Sequence, residues 1–158
     1  MRIRPYTQAD CDAVAVVFTA SVHGLTGGHY DAKQRAAWAP QPPDMNQWCK
    51  RLGAAQTLLA EKGDLPVGFI SWLPNGHIEL LYVLPGHVRG GVATALYRRA
   101  ESRLVSTGVE ALSAEVSSVA RRFFERQGFR VVGRQSVRRF GVSLLRYRMR
   151  KTAPVNTK

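Results

Sequence analysis

The sequence predicts a single α/β domain of the α+β kind, a mixed sheet flanked by helices. Three observations predict it. The chain has 158 residues, the size of one domain with one substantial core. Strand-type and helix-type patterns follow in the order strand, helical region, three strands, helix, strand, helix, two strands. Turn chemistry agrees: short Gly- and Asn-containing turns join the three central strands, helical stretches flank the strand that follows them, and Phe140 and Gly141 join the last two.

Residues 3–5 read as a first strand. Thr7 followed three residues later by Asp10 marks a helix start, and the apolar spacing of Ala13, Val14, Val16, Val17 and Phe18 carries a helix over 9–22. Gly24, Gly27 and Gly28 are expected to break it. A short helix over 31–38 follows, terminated by Pro40, Pro42 and Pro43, and another over 45–52. Residues 56–61 and 66–73 read as an antiparallel hairpin about Lys62, Gly63, Asp64 and Leu65. Pro74, Asn75 and Gly76 turn the chain into a third strand, 77–83. Helical spacing resumes over 91–107 through Val92, Ala95, Leu96, Ala100 and Leu104, and Gly108 stops it. A strand over 111–116, a helix over 119–127 stopped by Gly128, and strands over 129–139 and 142–149 complete the order. Residues 152–158 read as a polar tail, leaving 1–151 as the domain. The last strand, 142–149, is expected to offer a sheet edge or to interlock with a second copy, and so to form a homodimer.

The bulk composition excludes several classes. No apolar run is long enough to span a bilayer, and the first residues lack the apolar stretch of a secretory signal, so a soluble cytoplasmic protein without membrane association is expected. The two cysteines, Cys11 and Cys49, form no CxxC pair and have no histidines at metal spacing. Free, packed thiols are therefore expected, with neither a disulfide nor a metal site. The net charge of +12 favours an anionic ligand. Its arginines are mixed with apolar positions and form no basic tail. With no RNP-like strand and no helix-turn-helix pattern either, they read as solvated faces more readily than as a nucleic-acid site.

The chemistry concentrates after the third central strand. There Gly86, His87, Val88, Arg89, Gly90, Gly91, Val92, Ala93 and Thr94 form a glycine-rich turn that opens a long helix. Such a turn presents free N–H groups and the positive end of the helix dipole to an anion, and its small residues let a pyrophosphate approach the backbone. Neither a P-loop nor a GxGxxG fingerprint is present.

The run Val88-Arg89-Gly90-Gly91-Val92-Ala93 resembles the acetyl-CoA signature Gln/Arg-x-x-Gly-x-Gly/Ala of the GNAT family of N-acetyltransferases, with Val88 in place of the first residue. A second stretch, from Ser117 through Ala120, Phe123 and Phe124 to Gly128-Phe129, resembles the family's Asn-x-x-Ala-x-x-Phe-Tyr-x-x-x-Gly-Phe segment, with Ser117 replacing Asn and Phe124 replacing Tyr. The resemblance implies the GNAT acyl-CoA N-acyltransferase fold and acetyl-CoA entering between strands 77–83 and 111–116. It implies direct transfer of acetyl to an amine, without a metal, and names no acceptor; a small-molecule amine is the first reading, with protein N-terminal or lysine acetylation as a variant. The cofactor is then expected against Leu81, Tyr82 and Val83, against Val88 to Thr94, and against Ser117, Ala120, Phe123 and Phe124.

Direct attack requires a base for the ammonium and a proton donor for the thiolate. Glu79 and His77, placed on one strand face by their spacing, are the candidate bases, with Glu115 a third. Phe124 has no hydroxyl, so Tyr82, Tyr147, Ser117 or water is left as donor. That same lack makes a non-catalytic acyl-CoA sensor the alternative reading. His23, Tyr30 and Trp38, in the irregular N-terminal region, are the candidates for lining an acceptor pocket.

Overall fold

A computed structural model describes residues 1–25, 30–41 and 43–155. Its strands are β1 (Arg2–Pro5), β2 (Gln56–Lys62), β3 (Leu65–Trp72), β4 (His77–Val83), β5 (Ala111–Val116), β6 (Arg130–Arg139) and β7 (Val142–Thr152). Its α-helices are α1 (Cys11–Leu25), α2 (Ala32–Trp38), α3 (Met45–Ala54), α4 (Val92–Ser106) and α5 (Arg121–Arg126).

The seven strands form one sheet in the order β1-β2-β3-β4-β5-β7-β6. β4 and β5, with the crossover helix α4 between them, pair parallel, and the other neighbouring strands pair antiparallel. The last strand slots between β5 and β6, so the sheet ends at β1 on one side and β6 on the other. This corrects the expected edge at 142–149: that strand already has a neighbour on each side.

β2 shows how both faces are filled. Leu58 and Ala60 enter a core with Ile70, Leu96, Tyr97, Leu112, Phe124 and Met149 under α4 and α5. Leu59, between them, points to the opposite core with Phe18, Trp48, Phe69 and Leu80 under α1 and α3. On the α4 side Gly68 lets the helix lie close to β3. A Cβ there would meet Val92 Cγ1 at 2.9 Å, the Tyr82 carbonyl oxygen at 3.2 Å and Leu96 Cδ1 at 3.3 Å.

Local chemistry sets the element ends. The Asp10 carboxylate accepts from the Thr7 N–H at 2.8 Å and pairs with the Arg4 guanidinium at 2.7 and 2.8 Å, tying the first turn to β1. Arg4 also reaches Glu61 of β2 at 2.9 Å. The Arg4 bond holds the Asp10 carboxyl well below the usual carboxylate range. Asp31 and Gln34 cap α2 reciprocally, and Asp44 caps α3.

Several expectations are corrected. The first helix opens with a tight turn, Gln8–Asp10, and α1 then continues through Gly24 to Leu25; Gly27 and Gly28 lie outside the described residues, as does Pro42. Residues 117–120 form a turn, so α5 is shorter than expected. β7 runs on to Thr152, opposite Ala111, so the expected tail starts later; residues 156–158 lie outside the described residues. Cys11 and Cys49 are not free: they form a disulfide between α1 and α3, with Cα atoms 5.6 Å apart. The sequence separation of 38 concealed a contact that helix packing creates. Among the described residues no helix is long and apolar enough to cross a membrane, and no group of His, Cys, Asp or Glu is arranged to hold a metal.

Candidate active site

The site begins with an irregularity in β4. Ser71 of β3 opposes Leu80, but Trp72 opposes Ile78, so Glu79 is an extra residue in the ladder. The bulge breaks strict alternation: Ile78 joins the core under α4, while Leu80 joins the core under α1. On its other edge β4 pairs with β5 only at His77/Ser113 and Ile78/Ala114, after which the ladder ends. The strands leave a gap lined by Glu79, Leu81, Tyr82, Val116, Ser117 and Phe124, among others.

The glycine-rich turn follows β4. Gly91 caps α4 at φ 76°, a left-handed conformation that favours glycine. The first helical bond runs from the Ala95 N–H to the Gly91 carbonyl at 3.0 Å, so the amides of Gly91, Val92, Ala93 and Thr94 precede it. No acidic residue stands in the first turn of α4. The Lys62 ammonium lies 3.3 Å from where a Cβ on Gly90 would sit, and Arg89 is exposed beside it. Free amides, a helix dipole and two cations suit a pyrophosphate.

A second cavity opens on the α1 side of the same strand. Phe18, Arg51 and His77 line it together with Arg139 and Arg146. Trp38, Glu79, Leu80, Tyr82 and Glu115 border both this cavity and the gap, and so mark where the two meet. There the Trp38 Nε1–H donates to the Tyr82 hydroxyl oxygen at 3.1 Å, and burial raises the Tyr82 pKa, keeping the phenol protonated. Glu79 accepts both Arg51 bonds, at 3.0 and 3.2 Å, on its Oε2. Glu115 pairs with Arg146 at 2.8 Å, and His77 Nδ1 lies 2.9 Å from the Ser113 hydroxyl.

The sequence-derived residues divide accordingly. Leu81, Tyr82, Ser117, Ala120 and Phe124 line the gap with Trp38, and His77 shares the second cavity with Glu79. That sharing does not come from strand alternation, since the bulge interrupts it. Val83 is buried in the core, and the Phe123 ring packs edge-on against Tyr97. Tyr147 carries the Arg121 guanidinium over its ring, 4.7 Å from the centroid. His23 bonds the Ala39 carbonyl at 2.8 Å through its ring nitrogen and borders neither cavity. Tyr30 stacks on Trp38 but serves as a staple: its hydroxyl donates to the Leu145 carbonyl and accepts from the Ser118 N–H, each at 3.0 Å.

Arg51, Arg139 and Arg146 are residues of the site that the sequence did not mark; Arg139 and Arg146 read there as solvated surface. Alternation along the last hairpin was the available signal, since it puts residues 146, 148 and 150 on one face.

A family described as "Acetyltransferase (GNAT) domain" matches residues 27–151. The chain is 33% identical over 150 residues to the Uncharacterized N-acetyltransferase YafP of Escherichia coli (strain K12), covering 95% of each. A solved structure from Rhodopseudomonas palustris, described as a GCN5-Related N-acetyltransferase: Aminotransferase, Class-II, superposes with a TM-score of 0.92 at 33% identity, covering 96% of this chain and 94% of that one. The PaiA N-acetyltransferase of Thermoplasma acidophilum, solved with coenzyme A, superposes with a TM-score of 0.76 at 19% identity, over 96% and 98% of the two chains.

Proposed function

Because the chain belongs to the GNAT family of acetyltransferases, we propose that it is an acetyl-CoA-dependent N-acetyltransferase acting on the amine of a small molecule. One observation carries this reading: the β4–β5 ladder ends after Ile78/Ala114, and β4, the strand that borders the resulting gap, leads through the glycine-rich turn to the free amides of α4. The coenzyme A in the PaiA structure supports the same ligand here.

The chain's residues divide the work. Amides of Gly91 to Thr94 hold the pyrophosphate, with Lys62 and Arg89 adding charge. The open β4 edge receives the pantetheine arm, and the second cavity admits the amine from the opposite side. The amine nitrogen attacks the thioester carbonyl, forming a C–N bond as the C–S bond breaks. Glu79 takes the ammonium proton through its second oxygen, with His77 beside it in the cavity. Tyr82, protonated and bordering both cavities, donates to the departing thiolate.

Calorimetric titration of acetyl-CoA into wild type and a folded Gly91→Glu variant tests the cradle. Binding by wild type that is lost in the variant is expected, because a carboxylate at that turn obstructs and repels the pyrophosphate. No binding by folded wild type would sink the proposal. The buried Phe124 favours one rival, a cofactor sensor without catalysis; tight binding with no thiol release from any amine would select it.

A further inference from the structure

Strand register assigns side chains to faces without ambiguity, because directly opposed residues share one. His77 opposes Ser113, Ser113 opposes Arg150, and Arg150 opposes Arg130, so these four form a row across β4, β5, β7 and β6. The next row contains Glu115, Arg148 and Gly133, and the Arg148 guanidinium lies across Gly133, 3.2 Å from where a Cβ would be. Arg146 opposite Gln135 and Arg139 opposite Val142 fall on this same face. Five arginines therefore share the sheet face that carries the second cavity.

Their partners are few. Glu115 is taken by Arg146, and Glu79 by Arg51. Among the described residues Arg130, Arg139, Arg148 and Arg150 make no ion pair, and Arg130 and Arg150 stand directly opposite each other as like charges. Arg139 lines the cavity, open enough to solvent for a ligand to reach it. Its guanidinium lies 5.8 Å from the centre of the Trp38 ring, and it forms no hydrogen bond to an acceptor among the described residues. Burial, and then the positive charges of Arg146 and Arg51, lower its pKa from the ordinary arginine value. A guanidinium kept among guanidiniums, with its donor fork empty, fits an anion bidentately.

We propose that the acceptor is an amine that also carries an anionic group, a carboxylate or a phosphate, and that Arg139 receives that group, with the arginine face beyond it drawing the acceptor in. This rests on the acetyl-transfer reading and narrows it. A polycationic acceptor would meet repulsion across the whole face. An amine brought there by its anion has its ammonium form disfavoured by the same field, which eases the deprotonation that attack requires.

The test uses the intact protein at fixed acetyl-CoA, with thiol release as readout. The panel holds the proteinogenic amino acids and the amide of each, phosphoethanolamine against ethanolamine, and spermidine. The highest kcat/KM is expected for an anionic member, exceeding its neutral counterpart by about tenfold or more. The amino-acid and phosphoethanolamine arms distinguish carboxylate from phosphate. Arg139→Gln, and to a smaller degree Arg148→Gln, should shrink that preference through KM, as should added salt. A neutral or cationic member as best acceptor overturns the assignment, as does a preference that survives both substitutions. Bound acetyl-CoA with no anionic member acetylated overturns it and leaves the parent reading standing. Failure to bind acetyl-CoA brings down both.

Discussion

Trp38, at the end of α2, donates its indole N–H to the hydroxyl oxygen of Tyr82 on β4 over 3.1 Å. The bond satisfies a lone pair of the phenol and leaves its proton uncommitted. Tyr82→Phe should lower kcat by about 100-fold while leaving acetyl-CoA affinity unchanged. The pH profile carries the sign. Burial lifts the Tyr82 pKa above its usual value of 10, so the donor form persists through that pH and is lost only above it. In wild type, kcat should hold where free tyrosine would already ionise, and the variant should lack that limb. An unchanged kcat would return the proton to water.

The Cys11–Cys49 disulfide closes a loop of sequence separation 38. Removing it relaxes a constraint on the unfolded chain worth about 3–4 kcal/mol on the loop-entropy model. A strong reductant should therefore lower the Tm by about 10 °C. Cys49→Ser should melt at the lower temperature with or without reductant.

Asp10 predicts acid behaviour. Its folded pKa lies below the unfolded value of 3.8 because Arg4 bonds the carboxylate, so its contribution is complete above that pH and fades as the pH falls below it. Asp10→Asn should cost about 1–3 kcal/mol at neutral pH. Urea midpoints of variant and wild type should converge as the pH drops below 3.8.

Much of this fold could be read from the sequence, because the helical period holds along α4 and strand alternation is interrupted only locally, at bulges. β4 and β5 have the expected bounds, and α4 differs from its expected span by one residue at each end. The turn before α4 was legible because φ 76° at Gly91 leaves a chemical trace, a glycine. The disulfide left none, since its halves meet only when α1 packs on α3. The bulge at Glu79 was hidden for a related reason: it is a property of the pairing between β3 and β4, not of either strand. The same holds for the arginine face. Single residues such as Arg139 and Arg148 read as solvated until β7 is known to lie between β5 and β6, and only then do they fall in rows.

Gly68→Ala should weaken acetyl-CoA binding and cost about 1–3 kcal/mol of stability, since the new methyl lands 2.9 Å from Val92 Cγ1 and 3.2 Å from the Tyr82 carbonyl. Calorimetry and thermal melts would separate the two effects, and an unaltered affinity would show that α4 yields without moving its first turn.

That hydrogen in place of a methyl acts as a spacer of zero thickness between β3 and the helix. The depth at which the amide groups stand over the sheet is thereby calibrated from a residue that borders neither cavity. A chain retuned for a bulkier acyl donor could shim the helix outward at this one position and leave every contact residue as it is.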